Sequence, residues 1–203
     1  MIVERGQPWG APGPLPDDGV VVRSDAEARA VVVEHRAAGR PLPALGLVGG
    51  DLCRTLGGPG DEARLRSGDA MTFAIDLGTV ELDGRPDVFV AHLVARRRWW
   101  WGRAVVAMNA EWLGDWDLGP RSHPNDGRLD VTDGDLPWGD RRQARSRART
   151  GTHLPHPALT TARVATLAVD LDRAVPVRLD GVVVGRARRL ALGVEPDALT
   201  VVV

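Results

Sequence analysis

Hydrophobic residues occur in short runs along most of the chain, and the spacing of these runs changes after about seventy residues. Val20–Val22 and Ala44–Val48 are apolar runs of strand length, and a segment of helical character follows each of them. The first such segment opens with Ser24 and Glu27 at the spacing of a capping box. The order strand, helix, strand, helix predicts a short parallel α/β layer over residues 20–70.

From residue 71 onward, apolar runs of strand length follow one another with few helical signals. Asp83-Gly84 and Asp180-Gly181 join two pairs of these runs, and Asp-Gly favours tight hairpins because both residues tolerate positive φ. One helix is expected in this region, from Pro137 to about Thr150. We predict that residues 71–203 form a mostly antiparallel β-sandwich or barrel-like domain, so that the whole chain has an α+β fold.

The first nineteen residues carry a different signal. Residues 1–19 are rich in proline and glycine, which predicts a flexible arm. They lack the basic and then apolar pattern of a secretion signal, and no run approaches the roughly eighteen apolar residues of a spanning helix. Cys53 is the single cysteine, so no disulfide can form within the chain. We expect a cytoplasmic protein.

The charge balance excludes a general attraction to polyanions. The chain has 26 basic and 27 acidic residues, and every basic residue is an arginine. Any such attraction must therefore be local. Arg141, Arg145 and Arg149 lie one turn apart on the predicted helix and can bind phosphates in bidentate fashion. This face is a candidate site for an anionic lipid or membrane surface; nucleic acid and simple solvent exposure are the alternatives.

A run of aromatic residues gives a second candidate for lipid contact. Three tryptophans follow three arginines over residues 96–101, and side chains alternate between the two faces of a strand. At least one indole therefore faces outward or into a cleft. Because indole rings favour the membrane interface, we predict that Trp100 contacts the ligand. Packing of these rings between two layers of the fold is the alternative.

Several motifs follow one another in the order of a known family. Met108–Val131 contains an asparagine-bearing strand, a glycine-rich turn, a proline and then Asp-Gly-Arg-Leu-Asp. Gly151–Pro157 has the pattern G-x-H-x-x-H-P, and Val177–Gly181 has a strand and turn like the one that carries D-G-E. Together these motifs resemble the carboxy-terminal domain of the diacylglycerol kinase family of bacterial lipid kinases, over roughly residues 73–203.

This resemblance implies a reaction, cofactors and site residues. The family transfers the γ-phosphoryl group of ATP to a lipid hydroxyl, so ATP and Mg²⁺ are the implied cofactors. Asp126 and Asp130 are the implied catalytic acids, and Asp126 is the implied metal ligand. The usual D-D-G begins here with Asn125, which reduces the acidic pair. A tight turn without catalytic role is the alternative for this motif.

The region that should hold the nucleotide departs from the family pattern. Arg23–Glu27 stands where the family has the turn G-G-D-G-T, and it places side chains and carboxylates where bare amides would meet a phosphate. Gly49 and Gly50 precede a short predicted helix from Asp51 to Leu56, in place of a second turn, G-T-G-N. These two glycines are the remaining candidates for cofactor binding.

We therefore predict a shortened relative of the lipid kinases that binds a lipid or anionic small molecule through its β domain. We expect its ATP site to be weakened or lost, so that catalysis is in question. One alternative is an active kinase that completes its site in a homodimer; another is a nucleic-acid accessory protein. A zinc site at His123, His153 and His156 is a further alternative. Peripheral attachment to a membrane is compatible with the leading hypothesis.

Overall fold

The fold combines three helices with an extensive sheet. The computed structural model describes residues 9–98, 101–152 and 154–203, with backbone only at residues 98 and 101. Over these residues the helices are α1 (Asp25–Ala37), α2 (Asp51–Thr55) and α3 (Asp140–Ala148), and a 3₁₀ helix spans Arg64–Arg66. The strands are β1 (Ala11–Pro12), β2 (Val20–Val22), β3 (Leu45–Leu47), β4 (Met71–Leu82), β5 (Arg85–Phe89), β6 (His92–Arg98), β7 (Trp101–Met108), β8 (Trp112–Leu113), β9 (Trp116–Asp117), β10 (Leu129–Gly134), β11 (Leu159–Val164), β12 (Thr166–Leu179) and β13 (Val182–Val202). The predicted α+β class is confirmed.

The amino-terminal part forms the parallel layer that its apolar pattern indicates. Strands β2 and β3 pair in parallel, and β3 also pairs in parallel with the end of β13. The hydroxyl of Ser24 accepts a hydrogen bond from the Glu27 amide at 3.2 Å, so the capping residue fixes the start of α1. Ala28 and Val32 bury the inner face of this helix. The two short strands are therefore joined to the larger sheet through β13.

The larger part is an antiparallel sheet that folds over a shared interior. The sheet runs in the order β1-β4-β13-β12-β6-β7-β10-β11, with β2, β3 and β5 attached beside this path. One core cluster contains Val80 of β4 and Val131 of β10, although four strands separate these two in the sheet. Residues so far apart meet only if the sheet folds over a shared interior. This arrangement agrees with the predicted sandwich-like architecture.

The two Asp-Gly pairs form the tight turns that the sequence predicts. Asp83 and Gly84 have φ values of 51° and 82°, and Asp180 and Gly181 have 50° and 83°. Leu82 pairs with Arg85 across the first turn, and Leu179 pairs with Val182 across the second. Positive φ at both turn residues matches the twist of the flanking strands.

The described part of the proline-rich arm is anchored, in contrast to the predicted flexibility. Over residues 9–19, strand β1 pairs with β4, and the Leu15 amide donates to the Leu65 carbonyl at 2.7 Å. Leu15 is 3% exposed and belongs to a small core cluster. Composition alone did not reveal these partners because they lie about fifty residues further along the chain. Residues 1–8 lie outside the described part.

The helices are short. The helix predicted from Pro137 to about Thr150 is present as α3, with fewer residues at each end. None of the helices among the described residues has the length and apolar character that crossing a bilayer requires.

Candidate functional site

Four buried or half-buried polar side chains meet where the parallel layer contacts the antiparallel sheet. Asp25 begins α1, Asp51 begins α2, His92 begins β6, and Asp180 lies in the turn between β12 and β13. We call these four residues the aspartate–histidine cluster. Each stands at the end of an element, so the packing of the elements brings together residues that are far apart in sequence.

The carboxylate of Asp25 accepts hydrogen bonds from the backbone amides at the start of α2. The donors are the Asp51 amide at 2.6 Å and the Leu52 amide at 3.1 Å. Gly50, the residue before α2, has a φ of 97°, and a Cβ built there would lie 2.6 Å from Asp25 Oδ1. Glycine is needed at this position because the carboxylate approaches so closely. The donors that a phosphate would use are bound to a side chain of the same chain.

Asp51 links α2 to two other segments. Its carboxylate accepts from the Gly114 amide at 2.9 and 3.0 Å and lies 3.0 Å from His92 Nε2. Arg54, one turn later, donates to the Gly114 carbonyl and lies over the Trp112 ring at 3.4 Å from its centroid. The short helix is therefore fixed on both sides by polar contacts.

Asp180 is the most constrained member of the cluster. Its carboxylate accepts from the amides of Val90, Ala91 and His92 at 2.8 to 3.0 Å. Burial nevertheless raises the pKa of Asp180 to about 6, because the charged form is poorly solvated there. The positive charge of His92 acts in the opposite direction.

Asp25 and His92 have shifted pKa values as well. Burial raises the pKa of Asp25, and the nearby charge of Asp51 adds to the rise, while the two amide donors oppose it. Burial tends to lower the pKa of His92, but the hydrogen bond with Asp51 and the charges of three carboxylates raise it above its usual value. Asp25, His92 and Asp180 therefore each hold a proton more tightly than the isolated side chain does.

Three members of the cluster have the chemistry of a cation site. Single ligand atoms of Asp25, Asp51 and His92 lie within 4.8 Å of one another. Two carboxylates and an imidazole suit a divalent metal ion. In this structure the same oxygens accept backbone hydrogen bonds, so a bound metal ion would have to share or displace these donors.

The N-D-G motif forms a turn that a buried aspartate supports. Asp76 accepts from the Gly127 amide at 2.6 Å, and burial raises the pKa of Asp76. Asn125 donates through Nδ2 to the Ala74 carbonyl and to Asp197 Oδ1, both at 2.8 Å. An aspartate in place of Asn125 could not donate to these two acceptors, which explains the amide at this position.

The two predicted catalytic acids lie beside this turn. Asp126 accepts from the Arg128 amide at 2.9 Å and forms an ion pair with the Arg163 guanidinium. Asp130 accepts from the Ser122 hydroxyl at 3.0 Å, and burial raises its pKa. Their predicted catalytic and metal-binding roles remain predictions, as do the cofactor-binding roles of Gly49 and Gly50.

A separate cavity of about 140 Å³ lies under α3, and we call it the α3 pocket. Its lining is mostly apolar. Arg141 is at its edge, and the Arg145 guanidinium lies 6.0 Å from the ring of Trp116, another lining residue. Arg149 is exposed just beyond the helix. Trp100, the fourth predicted ligand contact, lies outside the described residues. The residues that line the pocket are Arg96, Gly102, Ala104, Val106, Trp116, Leu118, Thr132, Gly134, Leu136, Arg141, Ala144, Ala148 and Leu159.

Arg96 places a buried cation in the wall of the α3 pocket. The residue is 3% exposed, and burial together with the charge of Arg178 lowers its pKa to about 9. The guanidinium remains mostly protonated near neutral pH because that value lies well above it. The pocket therefore combines an apolar lining with two arginines.

Sequence reasoning identified the turns but missed the groups that join them. His92, Asp76 and Asn109 are single polar residues inside apolar strand segments, and all three are buried. The side-chain amide of Asn109 donates through Nδ2 to the backbone carbonyls of Asp76 and Val90 at 2.9 and 2.8 Å. A polar residue in an apolar run must find partners when it is buried, and that signal could have located the network.

Comparison with known proteins gives the relatives of this chain. The family model described as YegS C-terminal NAD kinase beta sandwich-like domain matches residues 72–203, well over half of the chain. No curated protein sequence gives a match.

Similar solved structures include three from Bacillus anthracis str. Sterne. Two are provisionally described as a diacylglycerol kinase: the first has 13% identity and a TM-score of 0.68, and the second has 12% identity and 0.64. Each match covers 91% of this chain and 77% of the other. A third, described as a diacylglycerol kinase, has 14% identity and a TM-score of 0.62, and covers 91% and 75%. At these identities the three structures establish the fold.

Proposed function

The chain belongs to the family of the YegS C-terminal NAD kinase beta sandwich-like domain, and from this premise we propose a function based on binding. The protein binds an anionic, lipid-like molecule in the α3 pocket and has lost phosphoryl transfer from ATP. The observation that carries this proposal is the apolar α3 pocket with two arginines in its lining.

The composition of the α3 pocket selects the chemical class of the ligand. Leucine, alanine and tryptophan side chains offer contacts to hydrocarbon, while Arg96 and Arg141 offer positive charge. A purely apolar ligand would make no use of the positive charges of Arg96 and Arg141. A small inorganic anion would leave the apolar walls of the pocket without contacts. A molecule with a short hydrocarbon segment and a phosphate or carboxylate matches both features.

The state of α2 supports the loss of ATP binding. A triphosphate needs free backbone amides at the turns between strand and helix. The amides of Asp51 and Leu52 already donate to Asp25, whose negative charge would also repel the phosphates. ATP would therefore have to displace a buried carboxylate that holds two hydrogen bonds.

The acids near the N-D-G turn support the same conclusion. Asp126 forms an ion pair with Arg163, and Asn125 stands where the motif D-D-G has its first aspartate. A divalent ion at Asp126 would compete with a guanidinium and would have one fewer carboxylate to bind it. Nothing in this arrangement favours magnesium over the ion pair.

The first experiment tests the α3 pocket with a soluble probe. Dihexanoyl phosphatidic acid, titrated by calorimetry below its micelle concentration, should bind the wild-type protein. Ala144→Trp should weaken binding at least about tenfold because the indole fills the cavity. Ala30→Trp, on an exposed position of α1, is the matched control and should bind normally. Equal binding by all three proteins would contradict the pocket assignment.

The second experiment tests the lost reaction. Calorimetry with Mg²⁺ and ATP should show no binding up to about millimolar nucleotide, and assays with diacylglycerol should show no phosphate transfer. Micromolar ATP binding together with turnover that Asp126→Ala abolishes would refute this part of the proposal. Asp69→Ala, which changes an exposed acid elsewhere, is the control for that variant.

A further inference from the structure

We propose that the outer face of α3 docks on an anionic lipid bilayer and brings the α3 pocket to the membrane surface. This inference rests on the proposed lipid-like ligand and adds the partner from which that ligand would come. Four observations carry it: the charge of the helix face, the pairing of the nearby acids, an exposed indole, and the small size of the pocket.

The two faces of α3 differ in character. Ala144 and Ala148 point to the pocket, while exposed arginines cover the outer side. Within the part of the chain that the structure describes, no carboxylate forms an ion pair with Arg142, Arg147 or Arg149. This face therefore carries positive charge that the protein itself does not neutralise.

The acidic residues beside α3 do not cancel this charge. Asp135 lies 3.2 Å from the Arg141 guanidinium, and Asp140 lies 3.4 Å from His156 Nε2. Both acids therefore pair with Arg141 or His156 and not with Arg142, Arg147 or Arg149. Since the chain as a whole has a net charge of −1, the positive face is a local feature and can orient the protein on an anionic surface.

Trp138 favours a bilayer as the occupant. The residue lies just before α3 and is 68% exposed, and the Arg141 guanidinium lies 5.6 Å from the centroid of its ring. An indole beside arginines suits the headgroup region, where the ring is partly buried and the charges meet lipid phosphates. Duplex nucleic acid would meet the charge but would offer the exposed ring no comparable apolar layer.

The size of the α3 pocket also requires an apolar environment outside it. A cavity of about 140 Å³ is close to the roughly 150 Å³ that holds one benzene ring. Only a short segment of a membrane lipid fits inside, so the rest of its hydrocarbon would be exposed to water unless it stayed in the bilayer. When the protein docks through α3, the hydrocarbon outside the pocket stays in the bilayer.

Vesicle flotation tests the docking face. The wild-type protein should float with phosphatidylcholine vesicles that contain about one quarter phosphatidic acid and should not float with pure phosphatidylcholine. The triple variant R142Q/R147Q/R149Q should lose at least about tenfold in binding. The control R40Q/R66Q/R85Q removes the same charge from exposed positions away from α3 and should bind as the wild type does. Binding of the two variants to the same extent would overturn the proposal.

Two further measurements distinguish a failure of the docking proposal from a failure of the proposed ligand binding. The triple variant should still bind soluble dihexanoyl phosphatidic acid, and Ala144→Trp should lose that binding but still float with anionic vesicles. If Ala144→Trp binds the soluble lipid normally while the flotation results hold, the pocket assignment fails and the docking surface stands. If duplex DNA displaces the protein from vesicles and binds it more tightly than they do, the arginine face serves nucleic acid and the docking proposal is overturned.

Discussion

The aspartate–histidine cluster and the α3 pocket are two regions of one fold that differ in whether their hydrogen-bond donors and charges are already paired within the chain. In the cluster, backbone amides that could meet a ligand donate instead to Asp25 and Asp180. At the α3 pocket, an apolar cavity lies under a helix on which Arg142, Arg147 and Arg149 form no ion pair with the described residues. In the proposed function, the cluster stabilises the structure and the pocket holds the ligand.

This difference is clearest at Asp25. The turn at Asp25 resembles, by its place in the sequence, a glycine-rich turn of the lipid kinases, and Asp25 caps α2 from a distance of 26 residues in sequence. The same carboxylate that would repel a phosphate is a good acceptor for amides. Under the proposed function, stabilisation of the fold takes the place of an anion site at this end of the molecule.

The largest expected effect comes from removing the acceptor at Asp180. In Asp180→Ala three buried amides lose their partner, and we expect the free energy of unfolding to fall by about 4 kcal/mol. Urea denaturation measures this change. Asp170→Ala, which breaks an exposed ion pair with Arg189, is the control and should cost less than about 1 kcal/mol. Similar losses in both variants would show that the cluster is not a centre of stability.

The second effect is a pH dependence. The folded-state pKa of Asp180, about 6, is above the value of an unfolded aspartate, so the folded protein binds the proton more tightly. The raised pKa of His92 acts in the same direction. Asp180 alone should therefore raise the unfolding free energy by about 1 kcal/mol as the pH falls from about 8 to about 5.5, and His92 should add to this rise. Stability that falls over this interval would contradict the assignment.

A neutral variant sharpens this pH test. Asp180→Asn cannot lose a proton, so the stability of this variant should change less with pH than that of the wild type. The same series of urea transitions, recorded at several pH values for both proteins, gives the comparison. The α3 pocket should contribute little to the slope, since Arg96 titrates only near 9.

A smaller loss of unfolding free energy is expected at Arg54, next to the cluster, and it can be compared with the loss at an arginine of α3. Arg54 packs on Trp112 and bonds the Gly114 carbonyl, so Arg54→Ala should lower the free energy of unfolding by about 1 kcal/mol. Thermal or urea unfolding detects this loss. Arg54→Lys, which keeps the charge but not the planar group, should recover only part of it.

The smallest effect is expected at α3. Arg142 is exposed and makes no ion pair with the described residues, so Arg142→Ala should change the free energy of unfolding by less than about 0.5 kcal/mol. The same unfolding experiment serves as the measurement. A loss as large as that of Arg54→Ala would show that this face contributes to the fold and is not reserved for a partner.

Local patterns predicted much of the fold. The capping residues of α1, the two Asp-Gly turns and the alternation of strands are short-range signals, and the structure shows each of them. The anchoring of Leu15 beside Leu65 could not be predicted, since pairing over fifty residues depends on where the rest of the sheet lies. The curvature of the sheet around one core is likewise a property of all its strands together.

The site was harder to predict because its residues come from four separate elements. The sequence indicated that Asp25 blocks a phosphate turn, and the structure adds the amides to which it is bonded. The meeting of Asp51 with His92 follows from how α2 packs against β6, which no short motif encodes. The α3 pocket had a partial signal in the arginines of its helix, while its apolar floor comes from strands of the sheet.

Strand β13 makes the order of synthesis important for this protein. Its residues Val201 and Val202 pair with Leu45 and Gly46 of β3 and, on the other side, with Phe73 and Thr72 of β4. When β2 and β3 leave the ribosome, their neighbour in the sheet is still about 150 residues from being made. Until then the edge of β3 that pairs with β13 has no partner strand, and an unpaired edge of this kind favours association with other chains.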